Sequence, residues 1–254
     1  MPTSASKVIT FGRRHIEPDT VPHNAQGKTY DNFTWGGCGV SRGNFSAVMG
    51  SFVVPTVTRP HNGAKGETYW TSSSWFGLDG FTYGPDVLGV GVTHTVDAAS
   101  GVTSYTADWS WATWDGPGTI GGIIPFSVQP GHQVNGSITY VIDGNGVRTG
   151  ASIIFANNTT GAHSSFTVQA PAEAKPWGGT AQWILEALET GNGTAQYPKL
   201  PAFTLLTFGL CFGCATDNNG QVAGDGDFFD ITQDGVVYSE ASAIGASCTI
   251  TYTG

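Results

Sequence analysis

The side chains of this chain that could do chemistry are first defined by exclusion. No Gly-x-Ser-x-Gly elbow presents a nucleophilic serine, and no His-Glu-x-x-His pairs two imidazoles on zinc. The 37 glycines form neither a phosphate-cradling loop nor a dinucleotide fingerprint, and the six histidines stand without ligand spacing. Cys211-Phe-Gly-Cys214 has the C-x-x-C spacing, but the turn-forming Ala-Thr-Asp-Asn-Asn-Gly follows it where a redox motif would open a helix. A zinc site would need a second close pair, and Cys38 and Cys248 lie far apart. The four cysteines are therefore expected to be structural, as disulfides of open connectivity or as buried free thiols. Asp225-Gly-Asp227-Phe-Phe-Asp230 offers oxygen ligands for a hard cation but lacks the glutamate that closes an EF-hand loop. A solvated hairpin is the expectation there, and neither a metal nor a cofactor is expected.

The elements that must position any site are short. Runs such as Phe45–Val54, Tyr69–Leu78, Val87–Val96, Thr103–Trp114, Ile138–Ile142, Gly150–Ala156 and Ser165–Gln169 are rich in β-formers. Phe203–Phe208, Asp227–Thr232 and Cys248–Tyr252 continue the pattern. Many alternate polar with apolar residues, as strands with one wet face do. Val141-Ile-Asp143-Gly-Asn145-Gly predicts a tight hairpin. One stretch, Thr180–Glu189 closed by Gly191, reads as a short helix, or as a strand Gln182–Leu185 running into a helical turn. Ten or more short strands without a solenoid repeat predict a single β-sandwich over residues 31–254, preceded by an extended arm over residues 1–30.

Composition narrows the partners. Charged residues make up 11% of the 254 residues, and the net charge of −9 leaves few cations. Lys7, Arg13, Arg14, Lys28 and Arg42, followed by Arg59 and Lys65, carry most of the positive charge near the N-terminus. A body so poor in cations has no patch for nucleic acid or for an anionic membrane. No run of about 18 apolar residues is long enough to span a bilayer. Six Asn-X-Ser/Thr sequons, at Asn32, Asn44, Asn135, Asn157, Asn158 and Asn192, exceed what 11 asparagines would give by chance, about two. The excess points to a glycoprotein of the secretory route, although no leader is visible.

Ser73-Ser74-Trp75-Phe76-Gly77-Leu78-Asp79-Gly80 follows Trp35-Gly36-Gly37 and a strand ending in Val53-Val54-Pro55. With Asp86-Val87-Leu88, the aromatic strand Tyr105–Trp114, Ala181–Glu186 and the closing Cys248–Tyr252, this order resembles the glutamic peptidases (eqolisins) over residues 33–254. The resemblance implies an all-β fold, a two-sheet antiparallel sandwich of jelly-roll or concanavalin-like form with a concave cleft. It also implies acid endopeptidase chemistry by a Gln and a Glu that activate water. Residue by residue, Gly89 takes the place of that Gln, Gln182 the place of that Glu, and Ser110 the place of a nearby carboxylate. Glu186 matches the family's own second Glu, and only a slip in alignment would make it the catalytic acid.

An amide cannot take or return a proton, and glycine has no side chain to stabilise an oxyanion. The expectation is therefore a repurposed protein without classical peptidase activity. Gly89 and Gly91 would widen a cleft walled by Trp75 and Trp183. Thr106, Asp108 and Ser110 would share one strand face, with Gln182 and Asp108 as the acting side chains. The expected partner is an organic small molecule, bound and converted by cyclisation, dehydration or a pericyclic step in secondary metabolism. A non-catalytic module for peptides or glycans is the alternative from another class. An acid endopeptidase with an altered acid is the third.

Overall fold

The computed structural model describes residues 27–254 except 42, 62–66, 82–85, 114–118, 189–198, 218 and 234. Most of the expected N-terminal arm and the sequon at Asn192 lie outside the described residues. The strands are β1 (Thr29–Asn32), β2 (Trp35–Ser41), β3 (Phe45–Val53), β4 (Val57–Thr58), β5 (Tyr69–Leu78), β6 (Asp86–Asp97), β7 (Thr103–Thr113), β8 (Ile120–Ile123) and β9 (Gln133–Ile142). They continue as β10 (Arg148–Asn157), β11 (Ala162–Gln169), β12 (Thr180–Leu188), β13 (Ala202–Phe203), β14 (Leu206–Ala215), β15 (Gly220–Val222), β16 (Asp227–Gln233), β17 (Val236–Ile244) and β18 (Ser247–Tyr252). A single 3-10 turn, Ala223–Asp225, is the only helical element among the described residues.

One hydrogen-bonded path runs β11-β10-β9-β3-β14-β18-β17-β16-β2-β12-β5-β6-β7-β8 and doubles back on itself into two layers. Every pairing along that path is antiparallel, and β1 adds to β16 in parallel. The layers meet through large side chains. The Phe76 ring of β5 lies over Gly50 of β3, where any Cβ would collide with it. Phe76 and Phe155 stand 6.3 Å apart, and Trp111 and Tyr140 5.9 Å apart. The Trp183 indole of β12 donates to the Met49 carbonyl of β3 at 2.8 Å. A Cys38–Cys248 disulfide ties β2 to β18, while Cys211 and Cys214 are free thiols.

Local chemistry explains most of the elements. The Asp143 carboxylate accepts from the backbone N–H groups of Asn145 and Val147, which closes the predicted β9–β10 hairpin. The helical reading of Thr180–Glu189 is corrected: Thr180–Leu188 is strand β12. All but its last residue are buried, because one face packs on the second layer and the other lies under a separate aromatic cluster. A strand buried on both faces loses the alternation that marks a strand in sequence.

On the core side of β6, His94 is fully enclosed, with Nδ1 3.1 Å from the Ser72 hydroxyl and its ring edge-on to Tyr105. Burial pulls its pKa down to about 3. The imidazole is thus neutral in the folded state and must be charged in the unfolded state below its ordinary value. Its contribution to stability is present above pH 6.5 and is lost as pH falls toward 3. Replacing it, as in His94→Leu, removes that term. The stability difference between wild type and variant, measured by denaturant titration, should move against wild type by up to about 1.4 kcal/mol for each pH unit in this window. A difference that does not change with pH would refute the assignment.

Candidate functional site

The outer face of the layer β16-β2-β12-β5-β6-β7-β8 can be read directly from the register. Asp227, Gly39, Gln182, Gly77, Gly89, Ser110 and Gly121 lie in one row across these strands. Phe229, Gly37, Ile184, Trp75, Gly91, Asp108 and Ile123 form the next row. Because side chains alternate along a strand, both rows point the same way, opposite to the core side chains Phe76, Val90, Trp111 and Trp183. Trp35, Trp75, Phe81, Val87, Ala112, Ile184 and Phe229 pack there as a second apolar cluster. Trp35 stands edge-on to Trp75 at 5.0 Å, and Phe81 edge-on to Phe229 at 5.1 Å.

Two glycines of this face, Gly39 and Gly91, are filled rather than open. The Phe81 ring occupies the space where a side chain on Gly39 would stand. A Cβ on Gly91 would collide with the Ser74 carbonyl and would come within 2.6 Å of the Trp75 Cβ. Gly91 therefore admits the close approach of β5, and the expectation that it widens the cleft is corrected. Trp183 is also corrected: it belongs to the inter-layer core, one residue out of phase with Gln182.

Gln182 is fully buried and committed. Its Nε2 donates to the Asp79 carbonyl, and its Oε1 accepts from the Thr180 hydroxyl at 3.2 Å. Asp108 and Ser110 are buried on the same face, and Thr106 is half-buried. Gln182 and Asp108 are separated by three inter-strand steps, about 14 Å of sheet. They could meet only through a molecule lying between them.

Asp79 anchors the end of β5. Its carboxylate accepts from the backbone N–H groups of Trp177, Gly178 and Gly179 at 2.7–2.9 Å and from the Tyr140 hydroxyl at 2.9 Å. Burial pushes its pKa up, and the backbone and hydroxyl hydrogen bonds pull against that. Asp86 accepts from the Lys175 N–H at 2.7 Å. Burial, partly offset by that bond and reinforced by the nearby Asp79 charge, raises the Asp86 pKa to about 6.

Sequence reasoning missed four members of this face. Asp227, read as part of a solvated hairpin, is buried beside Gly39. Trp35 and Ser73 flank Glu186 two residues further along the strands, and Thr93 stands beside Ser73 on the next strand. Period-2 counting from Trp75 would have found Ser73, but Thr93 and Trp35 required the pairing register. Glu186 is buried, and its Oε2 accepts from the Trp75 indole at 3.0 Å. Among the described residues no cluster of three or more His, Cys, Asp or Glu could hold a metal.

The model of the Peptidase A4 family matches residues 33–252. Aspergillopepsin-2 of Aspergillus niger is 26% identical over 264 residues, covering 95% of this chain and 88% of that one. A scytalido-glutamic peptidase solved with a peptide-based transition state analog superimposes with a TM-score of 0.70 at 19% identity, over 87% of this chain and 99% of that one. The crystal structure of aspergilloglutamic peptidase from Aspergillus niger gives a TM-score of 0.59 at 25% identity, over 72% and 99%.

Gln182→Glu provides a direct test of the local electrostatics. The substitution replaces an N–H donor by a carboxylate facing the Asp79 carbonyl in a buried place, which raises the new acid's pKa. The variant should lose about 1–3 kcal/mol at pH 7 and recover as pH falls and the acid is protonated. Equal stability of the two proteins at pH 7 in a denaturant titration would contradict this geometry.

Proposed function

The chain belongs to the peptidase A4 family, and we propose that within it this protein has given up peptide hydrolysis and binds and converts a neutral organic small molecule on its aromatic site face. The observation that carries the reading is the state of the two positions where the family resemblance puts the catalytic pair. Gln182 has its amide donor and acceptor engaged by Asp79 and Thr180, and position 89 has no side chain at all. General acid–base catalysis needs a group that titrates, and neither position supplies one.

The rest of the face suits an uncharged organic ligand. Trp35, Trp75, Phe81 and Phe229 make the face aromatic, with a few polar groups on the same side, and all four rings are enclosed in the free protein, so a ligand must displace what covers them. Positioning of this kind favours cyclisation, dehydration or pericyclic assembly, where shape does more than a nucleophile. A secretory origin belongs to the same reading. The sequons at Asn44 and Asn158 are exposed. Asn157, by contrast, is buried and donates to Ser127 and to His132. Among the described residues no helix is long and apolar enough to cross a membrane.

Digestion of a peptide library at pH 2–5 tests the reading. The unmodified chain should leave the library intact, and the double substitution Gly89→Gln with Gln182→Glu should gain measurable cleavage. Cleavage by the unmodified chain would overturn the proposal and make Glu186 or Asp108 the acid to replace next.

A further inference from the structure

The outer face of the other layer is nearly free of charge. Across β3, β9, β10, β11 and β14 the sole Asp, Glu, Lys or Arg is Arg148, the first residue of β10. The register sets Gly209, Ser51, Asn135, Ala156 and His163 in one row of that face. Two residues away along the strands, Met49 and Ile154 stand on either side of Ser137, with Phe212 beside Met49. Met49, Ile154 and Phe212 are 39%, 46% and 38% exposed, although the face around them offers no charge to keep it in water. Strand β11 ends the hydrogen-bonded path, and it has neither a charged residue nor a proline to discourage pairing with another chain. Uncharged faces with exposed apolar side chains associate, so this one needs a cover.

Asn135-Gly136-Ser137, in the middle of the face, is a glycosylation sequon. We propose that Asn135 carries an N-linked glycan that lies over this face and covers Met49 and Ile154. The proposal rests on the secretory origin put forward above and takes nothing from the ligand reading. Asn135 is partly exposed, has no hydrogen-bond partner among the described residues, and has small neighbours in Ser51 and Ala156. Other sequons are less free. The Asn32 Oδ1 accepts from the Thr34 and Trp35 N–H groups, the Asn44 Oδ1 accepts from Arg148, and Asn157 is buried. In the transfer, the Asn135 amide nitrogen attacks C1 of the first sugar of a polyprenyl-pyrophosphate-linked oligosaccharide. The N–C1 bond forms, the C1–O bond to pyrophosphate breaks, the amide loses one proton, and polyprenyl pyrophosphate leaves. The product fits the fold because Asn135 alternates with the core residues Val134 and Ile138 and points away from them. Met49 and Ile154 are its diagonal neighbours, about 7–8 Å away and under the first sugars. The sugar C–H faces would rest on these two side chains, and the hydroxyls would face water.

Peptide mass spectrometry of the full chain, secreted from yeast behind a yeast leader, tests the site. The peptide containing Asn135 should carry a glycan. Asn135→Gln and Ser137→Ala should each abolish that glycan and shift the secreted protein toward larger species in size-exclusion chromatography. Ser137→Ala leaves the asparagine in place, so the test stays decisive where Asn135→Gln does not fold. Adding Met49→Thr and Ile154→Thr to Ser137→Ala should reverse the shift, because the apolar side chains that the glycan covers are then gone. A bare Asn135, or a Ser137→Ala protein that elutes as the wild-type polypeptide does, would overturn the proposal. Failure of the secretory reading has its own signature. Protein isolated from the organism that makes it would then bear no glycan at any sequon, which would overturn both, whereas glycans elsewhere with Asn135 bare would overturn this proposal alone.

Discussion

Four donors converge on the Asp79 carboxylate, and the site depends on that convergence. Three are consecutive backbone N–H groups of residues 177–179, and the fourth is the Tyr140 hydroxyl of the opposite layer. The residue itself sits in a left-handed conformation with φ of 59°, which turns its carbonyl toward Gln182. One side chain therefore fixes the end of β5, the segment leading into β12, and the distance between the layers. A buried carboxylate is tolerable only when so fully hydrogen-bonded, and removal of one partner would leave the others facing an unpaired charge.

From that anchor the two faces of the site layer divide the work. The inner face carries the packing that stabilises the sandwich, with Phe76, Trp111 and Trp183 set against the second layer. The outer face carries glycine, hydroxyl and aromatic side chains in register rows. Such a composition is poor for stability on its own, since glycine strands are weak and unpartnered hydroxyls destabilise. It is held in place by the inner face of the same strands. The division is common where a fold keeps its core and changes its chemistry.

Much of the fold was legible because alternation survives where one face is wet. Tyr69–Leu78 was bounded to the residue, and β3, β6, β7 and β18 within one or two. Strand β12 resembled a helix because it has no wet face. Strand β2, Trp-Gly-Gly-Cys-Gly-Val-Ser, was not read as a strand because its glycines are depleted in strands elsewhere; here they make room for the Phe81 ring and for β12. At the site, Gln182, Gly89, Asp108 and Ser110 could be assigned to one face only because the resemblance supplied the alignment. Trp183 fell on the wrong face through adjacency, since a neighbour in sequence is an opposite in a strand. Trp35, Ser73 and Thr93 belong together by pairings between distant segments, which no local pattern encodes.

The position of β2 has a consequence for biosynthesis. It lies between β12 and β16, so a strand formed from residues 35–41 finds its two partners only after residues 180–188 and 227–233 have been made. Until then both of its edges are unpaired, and its flanking apolar and aromatic residues have nothing to cover them. Loop closures this long are slow, and exposed strand edges are templates for association between chains. A nascent chain of this kind needs protection for most of its synthesis. No fragment that stops short of β16 carries a complete site face. In expression of the intact chain, late strand pairing therefore competes with aggregation before any chemistry of the site comes into play.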